Sequence, residues 1–380
     1  MAAAQVPSLL AILAEMPDPR QPRGRRHRLD AMLTVLCLAV LCGSRSVLAV
    51  SEWGPQHDDD LRERLGFGGR GYPSPATWYR VLRRIDVAAF ESRVGAWVEQ
   101  VLGVLGAPGE RLAVAIDGKT LRTSRQMGAA DSVLLSAATH PLGLVVAQVA
   151  VRDGTNEPAA LTALLAELVL EGRVVTADAG LANHELAGRV VAAGGDYVFP
   201  IKHNQDRTWR AIDLWFAGPA PVGFPSNQVV EQTEKSHGRL IHRRIETTTV
   251  LNDYLDWPAL GQAFRLTRDH IDPDTGEIHT DVAFGITSLS PPQATPADLL
   301  SFVRQHWTIE NRVHWVRDVT FDEDRSTLRA GHTHHVMATV RNLVIALLRI
   351  HGRATIASAL RANAACPDRA YALLAVPLRE

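Results

Sequence analysis

Short apolar runs between residues 112 and 202 constrain the fold of this chain more than any other feature. Five runs have the length and β-branched content of buried strands: LAVAID, SVLLSAAT, LVVAQVAV, RVVTAD and DYVFPIK. Two segments of helical length, PAALTALLAELVL and NHELAGRVVAAG, separate the last three runs. The order is three strands, helix, strand, helix, strand, which predicts an α/β layer with a mixed sheet.

The residues before this region are predicted to be helical. The longest apolar stretch, AMLTVLCLAVLC, is shorter than the roughly 20 residues of a membrane span, so we expect a buried helix. Ser74 is placed to cap a second helix, whose apolar stripe comprises Trp78, Val81, Leu82 and Ile85. The Gly-Ala-Pro-Gly segment at 106–109 then predicts a domain boundary.

The pattern changes again after the fifth apolar run. Alternating segments such as RRIETTTVL and HTDVAFGITSL, with DPDTGE as a hairpin turn, predict a β-rich insertion. A helical region follows from Pro296, and the chain from Ala354 is expected to be a loosely packed tail. The predicted domains are 1–108 (helical), 109–208 (first part of an RNase H-like core), 209–295 (β-rich insertion), 296–350 (last helices of the core) and 351–380 (tail).

Charge and cysteine content exclude several classes of protein. Lys+Arg is 40 and Asp+Glu is 41, so the net charge gives no argument for a polyanionic partner. A near-neutral net charge does not exclude local clusters of basic residues. Three cysteines are too few for a disulfide scaffold and form no zinc pattern. The N-terminus lacks the layout of a secretory signal, because acidic residues soon follow its apolar run. We therefore expect a cytoplasmic protein.

Two aspartates follow apolar strands directly: Asp117 in AVAIDGKT and Asp178 in VVTADAGL. Ligand-binding groups gather at strand ends of α/β sheets, where side chains leave the core. One such aspartate is an ordinary turn signal. Two in one sheet raise the expectation of a shared divalent metal.

A third stretch, SFVRQHWTIENRVHWVRDVTFDEDRSTLRAG, is dense in groups suited to metal and phosphate. Helical spacing is expected to bring five of them near one face: His306, Glu310, His314, Arg317 and Asp318. The alternative is a surface helix with i,i+4 pairs, for which Glu310 and His314 qualify. The run 322–324 is expected to be a solvated turn, and it is also a rival source of a third carboxylate.

Four segments together resemble the ISAs-type, or H-repeat-associated, group of DDE transposases. They are AIDGKTLR, VVTADAGLANHELAGRVVAAGGDYVFPIKHNQ, SHGRLIHRR and HWTIENRVHWVRDVTFDEDRSTLRAG, and the resemblance covers residues 8 to 350. The stretch from Pro17 to Gly54 resembles the domain that precedes the core in that group. A broader relative group carries Tyr-x2-Arg-x3-Glu-x6-Lys. This chain has Val303, His306, Glu310 and Arg317 at those places, so it matches the signature at the glutamate and has a basic residue at the last place.

The resemblance implies a bacterial insertion-sequence enzyme that binds terminal inverted repeats, cleaves DNA and joins the ends to target DNA. It implies Asp117, Asp178 and Glu310 as catalytic residues and ligands of Mg²⁺, with Mn²⁺ as a substitute. Its partners would be double-stranded DNA and further copies of the chain in a dimer or higher multimer, in the nucleoid and not at a membrane. The alternatives are a nuclease of the same fold and a catalytically dead DNA-binding regulator.

Basic side chains supply the candidate DNA contacts, because phosphate contacts position a protein on DNA. The N-terminal candidates are Arg20, Arg23, Arg25, Arg26 and Arg28, with a solvated loop as the alternative. A helix face contributes Arg80, Arg83 and Arg84, and the segment 235–244 contributes Lys235, His237, Arg239, Arg243 and Arg244. The remaining candidates are Lys119, Lys202, His314 and Arg317, with an interior histidine as the alternative for His314.

Overall fold

A computed structural model describes residues 6–57, 59–67, 71–106, 111–129, 132–151, 157–220, 222–236, 239–272 and 275–375. The chain forms two compact units. Unit 1 comprises Met1–Glu110, Gly118–Leu168 and Thr308–Glu380, and unit 2 comprises Arg111–Asp117 and Val169–Trp307. The five domains predicted from the sequence remain a proposal.

Unit 1 opens with the predicted helical region. Its helices are α1 (Leu9–Ala14), α2 (Leu29–Leu41), α3 (Val47–Trp53), α4 (Asp59–Arg64), α5 (Pro75–Leu82) and α6 (Val87–Leu105). Every residue of α2 except Asp30 is buried, as expected for a helix that is apolar on all sides. Among the described residues no helix is long and apolar enough to cross a membrane.

Helix α5 has the predicted apolar stripe. Trp78, Val81 and Leu82 are buried, and Arg80 lies on the exposed side. Ser74 occupies the cap position, but its hydroxyl lies 3.1 Å from the Thr77 hydroxyl and makes no bond to the helix backbone. The position of the helix start was therefore predicted correctly, whereas side-chain capping was not.

The remainder of unit 1 contains the hairpin of β2 (Val133–Thr139) and β3 (Val145–Val151), which pair antiparallel. Gly143 closes this hairpin with a φ of +62°, a backbone region that favours glycine. Helices α7 (Arg122–Gln126) and α8 (Glu157–Ala166) flank the hairpin in sequence, and α7 was not predicted. The unit ends with α12 (Thr333–Ile350), α13 (Ile356–Ala365) and α14 (Pro367–Ala375).

The prediction of a loosely packed tail is wrong for the described part of the C-terminal segment. Helix α13 buries Ile356 and Leu360, and α14 buries Ala370 and Leu374. Their four-residue spacing is that of an amphipathic helix, whose apolar face must pack against other elements.

Unit 2 is built on a sheet whose strand order is β1-β4-β5-β9-β8-β7-β6. Its strands are β1 (Ala113–Thr120, which continues into unit 1), β4 (Val174–Ala177), β5 (Asp196–Ile201), β6 (Gln228–Ser236), β7 (Arg239–Thr248), β8 (Gln262–Ile271) and β9 (Ile278–Thr287). Strands β1, β4 and β5 run parallel, and the remaining neighbours are antiparallel. Its helices are α9 (His184–Ala192), α10 (Asp206–Phe216) and α11 (Pro296–His306).

One apolar core joins the parallel strands, the β-rich insertion and α11 of unit 2. It contains Val174 and Val198 from β4 and β5, Phe264 from β8, and Leu299 and Leu300 from α11. Gly285 lies opposite Phe264, and a side chain at that position would collide with the Phe264 ring. The predicted α/β class, with a mixed sheet, flanking helices, a β-rich insertion and a helical N-terminal region, is therefore confirmed.

Candidate active site

Asp117 lies within β1, and Asp178 directly follows β4, the neighbouring parallel strand in unit 2. Strands β1 and β4 pair in register up to Ile116 opposite Ala177, so the two aspartates occupy the next matched positions. Neighbouring strands are about 4.8 Å apart, and matched residues of parallel strands point to the same face. The sheet therefore places the two carboxylates side by side on neighbouring strands. The sequence predicted both at strand ends; this holds for Asp178, whereas β1 continues past Asp117 to Thr120.

The loop after β4 holds Asp178 in an open position. The Leu181 N–H donates to the Asp178 carboxylate at 2.9 Å, and the Asn204 side-chain amide donates to the Ala179 carbonyl at 2.6 Å. Asp178 is exposed and Asp117 is half-buried.

His306, the last residue of α11, is the third polar group of this part of unit 2. Its Nδ1 lies 3.0 Å from the Thr176 hydroxyl, two residues before Asp178. Burial lowers the pKa of His306 below 6.5, although the negative charges of Asp117 and Asp178 oppose the shift. The lowered pKa favours the neutral form of the imidazole.

The predicted third carboxylate, Glu310, lies in unit 1 in an unusual helix. Residues Ile309–His314 and Val316–Thr320 are π-helical, a rare conformation that is frequent at functional sites. The Glu310 carboxylate lies 3.1 Å from His314 Nδ1. Glu310 is exposed, whereas His314 is buried. His314 is therefore an interior histidine, which was the alternative given for it from the sequence, and its ring contacts the Glu310 carboxylate.

Lys119 is buried in unit 1 rather than exposed at a DNA-facing rim. Its ammonium lies 2.6 Å from the Asp318 carboxylate. Burial raises the pKa of Asp318, and the Lys119 charge opposes that shift. The expectation that Lys119 contacts DNA is corrected, because its charge is committed to Asp318.

Arg317 is also inside unit 1. Its guanidinium donates to Glu323 at 2.8 Å, and Arg341 donates to the other oxygen of Glu323 at 2.7 Å. Burial alone would raise the pKa of Glu323, but the charges of Arg317 and Arg341 lower it to about 2. Gln148 accepts further bonds from Arg317 and Asn342, at 3.1 and 2.9 Å.

The expectation that five polar groups lie near one helix face holds for Glu310 and His314, which are in contact, but not for Arg317, which is fully buried while Glu310 is exposed. The expectation of a solvated turn at 322–324 is wrong. Residues 322–324 are not simply a solvated turn, because Glu323 is buried between two arginines. The expected contact between Arg317 and DNA is also corrected, because Arg317 is fully buried.

Most of the other basic candidates are at the surface. The exposed set is Arg23, Arg25, Arg26, Arg28, Arg80, Arg83, Arg84, Lys202, Lys235 and Arg244. Arg20 is buried and pairs with Asp18 at 2.8 Å, which corrects its assignment as a DNA contact. Arg243 is bound to Glu234 at 2.7 Å, and Arg244 to Glu246 at 3.0 Å. His237 and the side chain of Arg239 lie outside the described residues.

Sequence reasoning missed Thr176 and Asn204, which position the histidine and the loop near the two aspartates. Thr176 is the one polar residue within the apolar strand VVTA, and that interruption was a usable signal. Asn204 follows β5 in a short 3₁₀ turn, and nothing in its sequence context distinguishes it from an ordinary loop residue.

Two known protein families match this chain, one near its N-terminus and one over its larger central part. The family described as "Transposase DDE domain" matches residues 108–347, and the family described as "DDE_Tnp_1-associated" matches residues 10–98. Among solved structures, Streptomyces venezuelae DesVI aligns with 35% of this chain at 17% identity and a TM-score of 0.15, which carries no argument.

Curated relatives extend over nearly the whole chain. From Escherichia coli K12, the "Putative protein YbfL" is 28% identical over 354 residues, which is 90% of this chain and 91% of that protein. The "H repeat-associated putative transposase YhhI" is 27% identical with the same coverage, and the "Putative transposase YncI" of E. coli O157:H7 is 28% identical over 90% of this chain and 88% of its own length. The resemblance to H-repeat-associated transposases is thereby confirmed, and the chain belongs to the DDE transposase family.

Proposed function

We propose that this protein is the transposase of a bacterial insertion sequence, which binds terminal inverted repeats, cleaves DNA and joins the ends to target DNA. The observation that carries the proposal is the pair of aspartates at matched positions of the neighbouring strands β1 and β4, in a chain that belongs to the DDE transposase family. A double-stranded DNA partner, assembly as a dimer or higher multimer, and a cytoplasmic, nucleoid-associated location are parts of the same proposal.

The donor set suits a hard divalent cation. Asp117 and Asp178 offer carboxylate oxygens from matched positions of adjacent strands, and oxygen ligands are those that Mg²⁺ prefers. We assign Asp117, Asp178 and Glu310 as the residues that would hold Mg²⁺, or Mn²⁺ in its place. When bound, such ions stabilise charge on the attacking and leaving oxygens of an in-line displacement at phosphorus.

The neighbouring residues hold these carboxylates in position. The Leu181 N–H restrains Asp178, and His314 restrains Glu310 at 3.1 Å. Burial lowers the pKa of His306, which favours a neutral imidazole that does not compete with a cation near Asp117 and Asp178. The contacts from Leu181 and His314 restrict the orientation of the Asp178 and Glu310 carboxylates, which a metal site requires.

The identity of the third carboxylate can be tested by neutralising acidic residues one at a time. Glu310→Gln is expected to lower cleavage of a terminal-repeat duplex at least 100-fold while leaving duplex binding intact, since it removes a ligand without moving the chain. Asp322→Asn is the matched control, because Asp322 has a φ of +55° and asparagine tolerates that conformation. Asp324→Asn and Asp318→Asn are expected to keep substantial activity.

Gel-based cleavage and anisotropy on the same duplex separate chemistry from binding. If Asp318→Asn proved as inactive as Glu310→Gln while binding DNA normally, the third ligand would have to be reassigned. Glu323 is unsuitable for this series, because its neutralisation is expected to destabilise unit 1.

Binding of the DNA ends is proposed to use the exposed arginines beside α5. Arg83→Ala with Arg84→Ala is expected to weaken duplex binding and to reduce the slope of log affinity against log salt by about 1.8, since each phosphate contact contributes roughly 0.9. Sequence discrimination should also fall if this face enters the major groove. The measurement is anisotropy on terminal-repeat and scrambled duplexes at several salt concentrations.

The charge-matched control is Arg189→Ala with Arg369→Ala, which removes two exposed arginines elsewhere. An equal loss in both double variants would mean that Arg83 and Arg84 form an ordinary solvated face. The end contact would then be sought among Arg23, Arg25, Arg26 and Arg28 or in the 235–244 segment.

Two other functions fit the same family. A nuclease of this fold would cut the duplex without joining it, and a regulator with a dead centre would bind without cutting. The presence of Asp117, Asp178 and Glu310 favours an active enzyme. Inverted repeats that flank the gene, together with joined products in vitro, would favour the transposase over both alternatives.

A further inference from the structure

Unit 1 contains a basic cleft that the proposed chemistry does not use. Its volume is about 800 Å³, and it is lined by residues from the end of α2, the π-helical segments, the end of α12 and helix α13. The lining includes five arginines and an aromatic ring: Arg45, Arg312, Arg349, Arg353, Arg361 and Trp315.

The positive charge of the cleft is not balanced locally. Among the described residues that line it, none is aspartate or glutamate. In the same described part of the chain, none of the five arginines forms an ion pair with a carboxylate. Burial, and then the neighbouring charge of Arg312, lowers the pKa of Arg349 to about 10, so Arg349 stays protonated at neutral pH. The cleft therefore presents five positive charges with no internal counter-ion.

Some of these arginines are held in place by backbone carbonyls. Arg349 donates to the carbonyls of Leu142 and Gly143 at 3.0 and 2.9 Å, and also to that of Arg312. Arg312 donates to the Pro141 carbonyl at 2.9 Å. These bonds orient the guanidinium groups without neutralising them, so the cleft is prepared for an anionic ligand.

Trp315 gives the cleft an apolar surface. Its side chain is 55% exposed, which is unusual for so large a ring. Protein sites for single-stranded nucleic acid combine a positively charged groove with aromatic rings on which bases stack. An exposed indole beside five arginines is that combination.

We propose that this cleft binds an unpaired DNA strand, with consecutive phosphates against the arginines and a base stacked on Trp315. Five charges exceed those of one nucleotide, which favours a strand over a free nucleotide. A cavity of about 800 Å³ has the size of a small-molecule site and does not admit a duplex. The inference rests on the proposed function in taking DNA as the polyanion, and it adds a strand-binding site in unit 1.

The test is fluorescence anisotropy with a labelled dT12 strand, using the full-length protein at several salt concentrations. Trp315→Ala is expected to weaken dT12 binding by about 5-fold or more, because stacking contributes roughly 1–3 kcal/mol per base. Trp315→Phe keeps a ring and should retain most of the affinity. Arg353→Ala with Arg361→Ala is expected to weaken binding and to reduce the salt slope by about 1.4.

Matched variants guard against general effects of charge and folding. Tyr254→Ala removes an exposed aromatic outside the cleft, and Arg189→Ala with Arg369→Ala removes two exposed arginines outside it. Both should leave dT12 binding unchanged. Equal losses in these controls, or no loss in the cleft variants, would overturn the proposal.

Three further probes identify the ligand. A 20-base-pair duplex should be insensitive to Trp315→Ala, and dTMP at millimolar concentration should not displace dT12. Three results would each overturn the assignment to an unpaired DNA strand. They are a loss of duplex binding but not of dT12 binding in Trp315→Ala, displacement of dT12 by dTMP, and tighter binding of rU12 than of dT12. If the protein does not cleave the terminal repeat but its dT12 binding is weakened by the cleft substitutions, the proposed function alone is refuted.

If it cleaves the terminal repeat but its dT12 binding is unaffected by the cleft substitutions, the proposed strand site alone is refuted.

Discussion

Asp178→Asn is expected to abolish cleavage of a terminal-repeat duplex in Mg²⁺ while leaving the fold and duplex binding unchanged. Asparagine keeps the shape of the side chain and can still accept the Leu181 N–H, but it lacks the charge that holds a divalent cation. We expect the rate to fall by about 1,000-fold or more, because a charge that acts in the transition state is lost. Asp178→Glu should recover little, because a longer side chain misplaces the carboxylate in an exacting geometry.

The matched control for Asp178→Asn is Asp213→Asn, which changes an exposed aspartate of α10 in the same unit. It should cleave like the unmodified protein. Thermal unfolding and duplex anisotropy, measured on the same samples, separate loss of chemistry from loss of fold or binding. Undiminished cutting by Asp178→Asn would remove Asp178 from the mechanism.

Glu323→Gln is expected to lower the free energy of unfolding by about 3–5 kcal/mol, because it leaves Arg317 and Arg341 buried without their counter-ion. Urea denaturation followed by circular dichroism measures the change. Glu63→Gln, at an exposed glutamate of α4, is the control and should change stability by less than about 0.5 kcal/mol. A loss below about 1 kcal/mol for Glu323→Gln would contradict the account of this cluster.

The same cluster predicts how stability depends on pH. The folded pKa of Glu323 is about 2, below its ordinary value of 4.5, so the unfolded chain takes up its proton first on acidification. Its contribution is complete above pH 4.5 and is lost as the pH falls from 4.5 towards 2. Over that window the unmodified protein should lose stability more steeply than Glu323→Gln.

The elements of the sheet could be predicted from the sequence because their signals are local. Apolar runs such as VVTA and AVAI, each followed by aspartate, are short, buried and bounded by polar residues. Parallel pairing of β1 and β4 then places Asp117 beside Asp178 whatever the rest of the chain does. The pairing of the two aspartates that we propose as catalytic was therefore predictable from periodicity and strand geometry, together with the family resemblance.

The polar cluster of unit 1 could not be predicted because its pairings join residues far apart in sequence. Glu323 stands in an acidic run typical of a turn, and its partner Arg341 lies on α12, an otherwise largely apolar helix. Helical spacing placed Arg317 on the same face as Glu310, but a π-helix turns differently from an α-helix. A cation on a polar helix looks the same in sequence whether it faces solvent or a buried carboxylate.

The most direct test of the central claim is a cleavage and joining assay with a labelled duplex that carries the inverted repeat flanking the gene, incubated with a plasmid target. The account predicts cut ends with 3′-hydroxyls and joined products in Mg²⁺, and neither product when EDTA replaces the metal. It also predicts neither product with Asp117→Asn in Mg²⁺. Equal cutting in EDTA, or tight binding without cutting by the unmodified protein in Mg²⁺, would contradict it.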